Sequence, residues 1–243
     1  MDLKEQNANS NRHPWELSRA DMIVQLLAGS PRHTRYADVG SGDLYFTRRL
    51  CDLTDEPVRA IDVNYPTRGP DGQLVICADL DQVPAGSIDC AVLMDVLEHV
   101  DDDVGLLRSV DRVLAPAAQL LITVPAHAFL WSEHDVFLGH RRRYSRRLLL
   151  DVLRRGGITV VESFYFYALP YAARALSAGL LRLGVRPRQP SGIGRWPYEA
   201  EHPITRALRL MLNLDFRISR RLGAIPAFGL GLSICAICRR PSA

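Results

Sequence analysis

Two hydrophobic periods alternate along this chain. Short apolar runs rich in Val and Ile, "RYADVGSG", "PVRAIDVN", "QLVICADL", "IDCAVLMDV" and "AQLLITVPA", have the continuous hydrophobicity of parallel strands covered on both faces. Around them, apolar residues recur at helical spacing. "WELSRADMIVQLLAGSP" is closed by Gly29 and Pro31, and "LYFTRRLCDL" is a second helix. "DDDVGLLRSVDRVLAP" has acids in its first turn and Pro116 past its end, while "SRRLLLDVLRRGG" has Ser145 as cap and Gly156 as stop. "ITVVESFYFYAL" and "GLSICAICRR" predict two later strands. Strands interleaved with helices predict an α/β fold, a doubly wound three-layer sandwich around a mostly parallel sheet.

Composition keeps this picture and removes several others. At 243 residues, 47% hydrophobic and 23% charged, the chain lies in the ordinary globular range and is long enough for one well-buried core. It has no charge-free apolar run long enough to span a bilayer, and "MDLKEQNANSNRHP" is too polar for a signal peptide. The expected location is therefore cytoplasmic. Cys51, Cys77, Cys90, Cys235 and Cys238 are odd in number and sit in apolar segments, which predicts reduced core thiols rather than a disulfide framework. "CAIC" has the spacing of a metal or redox pair, but in a strand its two sulfurs point to opposite faces. The net charge of +3 is unevenly spread: residues 169–222 hold ten arginines against Glu199, Glu201 and Asp215.

In open α/β sheets ligands gather at the carboxyl ends of the strands. The first such end reads Asp38-Val-Gly40-Ser41-Gly42-Asp43-Leu44, a glycine turn between strand and helix. A dinucleotide loop would carry a third glycine where Leu44 and Tyr45 stand, so pyrophosphate binding is disfavoured. The second end places Asp62 at the distance expected of an acid that accepts ribose hydroxyls. The third gives Asp79, and the fourth gives "LMDVLEHV", with Asp95, Glu98 and His99.

"YADVGSGDLYF", "RAIDVN", "ADLDQVPAGSIDCAVLMDVLEHVDD" and "LLITVPAH" resemble the successive motifs of class I S-adenosylmethionine-dependent methyltransferases, across roughly residues 34 to 168. The resemblance implies S-adenosylmethionine as cofactor and S-adenosylhomocysteine as product. It implies that Asp38 and the Gly40-Ser41-Gly42 loop hold the methionine end; Asp95 is a further expected cofactor contact. Asp62, with Val63 adjoining, would take the ribose, and Asp79 with Leu80 the adenine. It also implies a seven-stranded sheet with an antiparallel last strand, a helical lid at 12–30 opening on "HPWELSR", a cofactor-binding core at 34–168, a helical insertion at 169–226 and a last strand at 227–240, all in one domain. The pattern departs at Leu44.

"WSEHDVFLGHRRRYS" follows the fifth strand, so it is expected above the carboxyl edge of the sheet, where a methyl acceptor would lie. It also resembles the Trp-Ser-x-His-Asp…Gly-His-x-Arg-Arg-Tyr signature of one branch of these enzymes. His134 and His140 titrate in the range of a general base, and Asp135 or Glu133 could orient one of them. Tyr144 offers a ring and a hydroxyl. Trp131, Arg141 and Arg143 are the expected acceptor contacts, the arginines through planar forks for a phosphate or carboxylate. A bland account stands beside this one: the arginines pair with acids and His140 fixes the loop. Glu98 and His99 with Asp101, Asp102 and Asp103 could suggest a metal site, but acids at a helix start serve the helix dipole, and no metal is expected.

In the insertion, "YFYALPYAARALSAGLLRLG" is apolar around its circumference apart from Arg174 and Arg182. "HPITRALRLMLNLDFRISRRLG" places Arg206, Arg209, Asn213, Arg217 and Arg220 on one helical face. That face predicts an anionic membrane surface through 203–222, hence a peripheral inner-membrane location, or a cap with a solvated arginine side. The expected function is O-methylation of a small or lipid-linked, anionic acceptor. An idle cofactor-binding module, motivated by Leu44, is the alternative. Nucleic acid is the weaker partner, since Trp196 and Tyr198 lie near the basic stretch without an RNA-binding motif.

Overall fold

The computed structural model describes residues 11–29, 33–65, 69–182, 196–223 and 229–242. The chain runs α1 (Pro14–Ala28), β1 (Tyr36–Val39), α2 (Tyr45–Cys51), β2 (Val58–Ile61), β3 (Gly69–Asp71), β4 (Leu74–Cys77), β5 (Ile88–Met94), α3 (Asp103–Val113), β6 (Leu114–Pro125), α4 (Glu133–Leu138), α5 (Arg146–Arg155), β7 (Thr159–Phe166), α6 (Ala168–Arg182), α7 (Pro203–Gly223) and β8 (Ser233–Arg239). Capping chemistry sets the helix starts. His13 Nδ1 accepts the Trp15 amide at 3.3 Å, the Glu16 carboxylate accepts the His13 amide at 3.2 Å, and Pro14 takes the first position of α1, where no donor is missed. Asp102 caps α3 and Ser145 caps α5.

The strands form one sheet in the order β3-β4-β2-β1-β5-β6-β8-β7. β4, β2, β1, β5 and β6 are parallel, and β8 enters antiparallel between β6 and β7. The sheet thus has eight strands rather than the expected seven. The addition is the three-residue β3, "GPD". It pairs antiparallel to β4 at the sheet edge, where a proline costs no ladder bond.

The core divides by sheet face. Ala37, Val39, Leu93, Leu107, Val110, Leu149 and Leu153 pack on the side of α3 and α5, whereas Met22, Ile23, Tyr36, Leu50, Val92 and Phe216 pack on the side of α1, α2 and α7. Cys238 falls in the first group and Cys235 in the second, so "CAIC" is split by the sheet. Cys77, Cys90, Cys235 and Cys238 are buried free thiols, and burial pushes each upward in pKa.

The basic helix sits the other way round from the sequence expectation. α7 turns Leu212 and Phe216 into the core, and Arg209, Asn213 and Arg220 of the arginine face are half-buried beside them. The Arg209 fork grips Asp21 of α1 at 2.5 and 2.6 Å, Asn213 reaches the same carboxylate at 3.4 Å, Arg217 donates to Gln25 at 2.8 Å, and the Arg220 fork grips Glu162 of β7 at 2.9 and 2.7 Å. Acids waiting on α1 and β7 give the guanidinium groups paired, half-buried sites that outweigh solvation. Leu210, Met211, Leu214 and Ile218 are left exposed instead. Trp196 donates to Thr205 at 2.9 Å and meets the His13 ring edge-on, while Tyr198 stacks on His202, so both rings are engaged within the fold. Among the described residues, no helix is long and apolar enough to cross a membrane.

Candidate active site

Four strand ends build one side of a cavity of about 1150 Å³. After β1 the chain turns through Gly40, Gly42 and Leu44 at φ +76°, +52° and +64°. Leu44 thus occupies the left-handed position that a third glycine would hold, and the loop keeps a glycine-like course despite its side chain. A Cβ on Gly40 would lie 2.5 Å from Val96 Cγ2, so only glycine lets this backbone approach so closely. The loop is tied to the end of β2. The Gly42 amide donates to Asp62 Oδ2 at 3.0 Å, and the Asn64 amide and side chain donate to Oδ1 at 2.9 and 3.0 Å. Ser41 Oγ bonds the Tyr65 hydroxyl at 2.8 Å. Asp62, Val63, Asp79, Leu80 and Asp95 line the cavity, with Asp79 also capping the turn after β4 through the Asp81 amide.

Asp38 and Ser41 lie off this cavity, beside a small pocket under the loop. The Asp38 carboxylate is fully buried and accepts the Thr47 hydroxyl at 2.6 Å; burial pushes its pKa up to about 6, against the opposing pull of that bond. Asp95 accepts from Thr123 at 2.9 Å and pairs with Arg19 of α1, which brings α1 against the cavity as one wall. Nothing in the sequence marked Arg19 beyond its place in "HPWELSR".

The opposite wall is made by the segment after β6. Ser132 starts α4 with a capping box to Asp135, and Gly139 ends it at φ +79°. That left-handed turn folds the chain back, so that Asp135 Oδ1 faces His140 Nδ1 at 2.9 Å. Burial alone would raise the Asp135 carboxyl, but hydrogen bonds from His140 and from Arg143 Nε at 2.7 Å outweigh it and hold it well below the usual carboxylate range. An ionised Asp135 can only accept, so His140 carries its proton on Nδ1 and leaves the Nε2 lone pair free of that bond. Asp135 orients His140, not His134. His134 also lines the cavity, and burial lowers its imidazole to about 4.

The remaining residues of this segment act mostly as fasteners. The Arg141 amide donates to the Glu98 carbonyl at 2.6 Å, and its side chain reaches Asp101 at 3.4 Å. Arg142 bonds Asp103 and the Val100 and Asp101 carbonyls. The Tyr144 hydroxyl donates to Asp103 at 2.9 Å, and its ring is buried outside the cavity. Trp131 is half exposed and also outside it. Arg143 does line the cavity, but Asp135 and the Ala126 carbonyl engage its fork. Arg174 of α6, singled out in the sequence only as one of two arginines interrupting an apolar helix, is a further cation lining the cavity. It donates to Ser132 Oγ at 2.5 Å, and among the described residues no carboxylate forms a salt bridge with it.

A family model described as a methyltransferase domain matches residues 14–163. The chain belongs to this methyltransferase family. Its expected cofactor, S-adenosylmethionine, fits the observed side: a loop that only glycine permits, a carboxylate at the end of β2, and a volume somewhat above that of typical ligand sites, with room for cofactor and acceptor. Solved structures share the methyltransferase fold at low identity. An S-adenosylmethionine-dependent methyltransferase from Mesorhizobium loti is 17% identical with a TM-score of 0.54, covering 91% of this chain and 98% of its own. A geranyl diphosphate methyltransferase in complex with S-adenosylmethionine is 10% identical at TM-score 0.57, covering 92% and 84%. The [4+2]-cyclase SpnF is 18% identical at 0.56, covering 93% and 81%. No curated protein sequence matches the chain significantly.

Proposed function

We propose that this methyltransferase methylates an oxygen of an anionic, lipid-linked acceptor. The observation that carries the reading is the Asp135–His140 pair, whose imidazole lines the same cavity as Asp62. When bound, S-adenosylmethionine supplies an electrophilic methyl group on a good leaving group. The chain's own residues then have two tasks, alignment and activation of the nucleophile. Asp62 and the 40–42 loop orient the cofactor end. The Asp135–His140 pair activates the acceptor hydroxyl, its imidazole aimed by the buried carboxylate. The Arg174 guanidinium, partnered by a neutral hydroxyl, is placed to receive an acceptor's phosphate or carboxylate.

The lipid half of the proposal rests on the outer face of α6 and α7. Leu169, Leu176, Met211, Leu214 and Ile218 are exposed, and Met211 continues that face into the cavity lining. Arg206, Arg217 and Arg221 are exposed on the same helix, α7. An apolar strip with cations beside it suits an anionic bilayer surface that presents the acceptor's head group to the cavity.

Transfer of labelled methyl from S-adenosylmethionine to a panel of anionic hydroxyl compounds, with and without an isoprenoid tail, tests the reading. Methoxy products from the tailed compounds are expected, with turnover lost in His140→Ala while cofactor affinity is kept. N-methylated products, or undiminished turnover in His140→Ala, would overturn it. Flotation with anionic vesicles should fall in Leu214→Glu; equal flotation of the two proteins removes the membrane face.

A further inference from the structure

Glu98 has no role in the site as described so far. Its side chain is completely buried, neither carboxylate oxygen has a hydrogen-bond partner, and it lines the cavity. Buried polar groups are nearly always satisfied, so an acid in this state calls for a partner the chain itself does not supply. Burial pushes its carboxyl up to about 8. His99 follows it in the same turn, and His140 arrives from the other wall, the two imidazole centroids lying 4.8 Å apart with ring planes at 84°. One ligand atom from each of Glu98, His99 and His140 lies within 4.8 Å of the other two.

We propose that Glu98, His99 and His140 hold a divalent transition-metal ion at the acceptor end of the cavity. The donor set is the first argument: two imidazoles and one carboxylate suit zinc, cobalt or ferrous ions better than magnesium or calcium, and three protein ligands leave positions open for a substrate. The second is the outer carboxylate. Asp135 accepts the His140 Nδ1 proton, which fixes the tautomer that turns Nε2 to a ligand, as metal-binding histidines are generally fixed. The third is the fastening. The Arg141 amide on the Glu98 carbonyl, Arg142 on the 100–103 turn and Tyr144 on the Leu97 carbonyl press the His140 segment onto the Glu98–His99 turn. Arg19 is matched by Asp95 and Arg143 by Asp135, so neither of these cavity arginines is committed to Glu98. Acids at the start of α3 do serve as caps, as the sequence suggested, but Glu98 precedes that helix and points elsewhere.

The proposal rests on the O-methylation reading and says how the Asp135–His140 pair acts: an ion in this place withdraws charge from a hydroxyl oxygen at its open position and lowers the pKa of that hydroxyl. The test uses the full chain, dialysed against a chelator and titrated with Co²⁺, read by visible absorption, and with Zn²⁺, read by calorimetry. One ion per chain is expected, with affinity reduced at least about tenfold in both Glu98→Gln and His140→Gln. No Co²⁺ spectrum and no Zn²⁺ uptake by the wild-type chain overturns the site, as does uptake unchanged in both variants. Circular dichroism checks the fold of each, and His99→Gln replaces any variant that does not fold. Ion binding lost in the variants, without transfer to any oxygen acceptor, keeps the site and removes the reading beneath it. Metal-independent O-methylation that His140→Ala abolishes keeps that reading and overturns the ion.

Discussion

Asp38→Asn should stabilise the fold and weaken the cofactor site at once. Asp38 is enclosed beneath the 40–42 loop with Thr47 as its side-chain donor, and burial raises its pKa from the ordinary 3.8 to about 6. Below pH ~4 both folded and unfolded chains hold the proton, and the carboxyl makes no pH-dependent difference. Between about 4 and 6 the unfolded chain releases it while the folded chain keeps it, so wild-type stability falls as pH rises. Above about 6 both states are ionised and the loss is complete. At 1.36 kcal/mol per pH unit it amounts to about 3 kcal/mol. The amide in Asp38→Asn has no proton to lose, and its oxygen can still accept from Thr47. Urea unfolding of the two proteins from about pH 4 to about pH 8 should therefore show a gap that opens in favour of Asp38→Asn and levels off above about pH 6. A gap that stays constant with pH would refute the burial argument. Calorimetry on the same variant should show weakened S-adenosylmethionine binding, the reason a costly buried acid would be kept here.

Gly40→Ala sets a Cβ against Val96 in a left-handed backbone; the strain alone is about 1–2 kcal/mol, and cofactor affinity should drop with thermal stability. Val96→Ala added to it should recover part of both, and calorimetry showing no recovery would place the effect in the backbone alone. Arg209→Ala strips the bidentate partner from a nearly buried Asp21 and should cost about 2 kcal/mol. At this chain length that is roughly a 5 °C drop in Tm, and an unchanged melting curve would return the α7 arginines to the solvated face that the sequence suggested.

The sequence was most readable where function follows local order along the chain. Strand ends after β2 and β4 put Asp62 and Asp79 on the cavity because a parallel strand delivers its last residue to the carboxyl edge whatever else the fold does. The orientation of α7 was not readable: an amphipathic helix has two candidate inner faces, and Asp21 and Glu162, which decide between them, lie far away in sequence on α1 and β7. The partner of Asp135 was ambiguous for a different reason. His134 is its neighbour in the chain, but neighbours on a helix point apart, and only the left-handed turn at Gly139 brings His140 back to it. The arginine run looked like acceptor chemistry, whereas Arg141, Arg142 and Tyr144 hold two loops together. Of the arginines lining the cavity, Arg19 and Arg143 form salt bridges among the described residues, and Arg174, which forms none, comes from another helix.

Titration calorimetry of the wild-type and Asp62→Ala proteins with S-adenosylmethionine and S-adenosylhomocysteine tests the central claim most directly. The structure ties Asp62 to the glycine loop on the cavity wall, so saturable binding of both compounds is expected, at one per chain, with Asp62→Ala weakened by at least about tenfold, ~1.4 kcal/mol. No binding of either compound to the wild-type chain, or equal binding by both proteins, would contradict it.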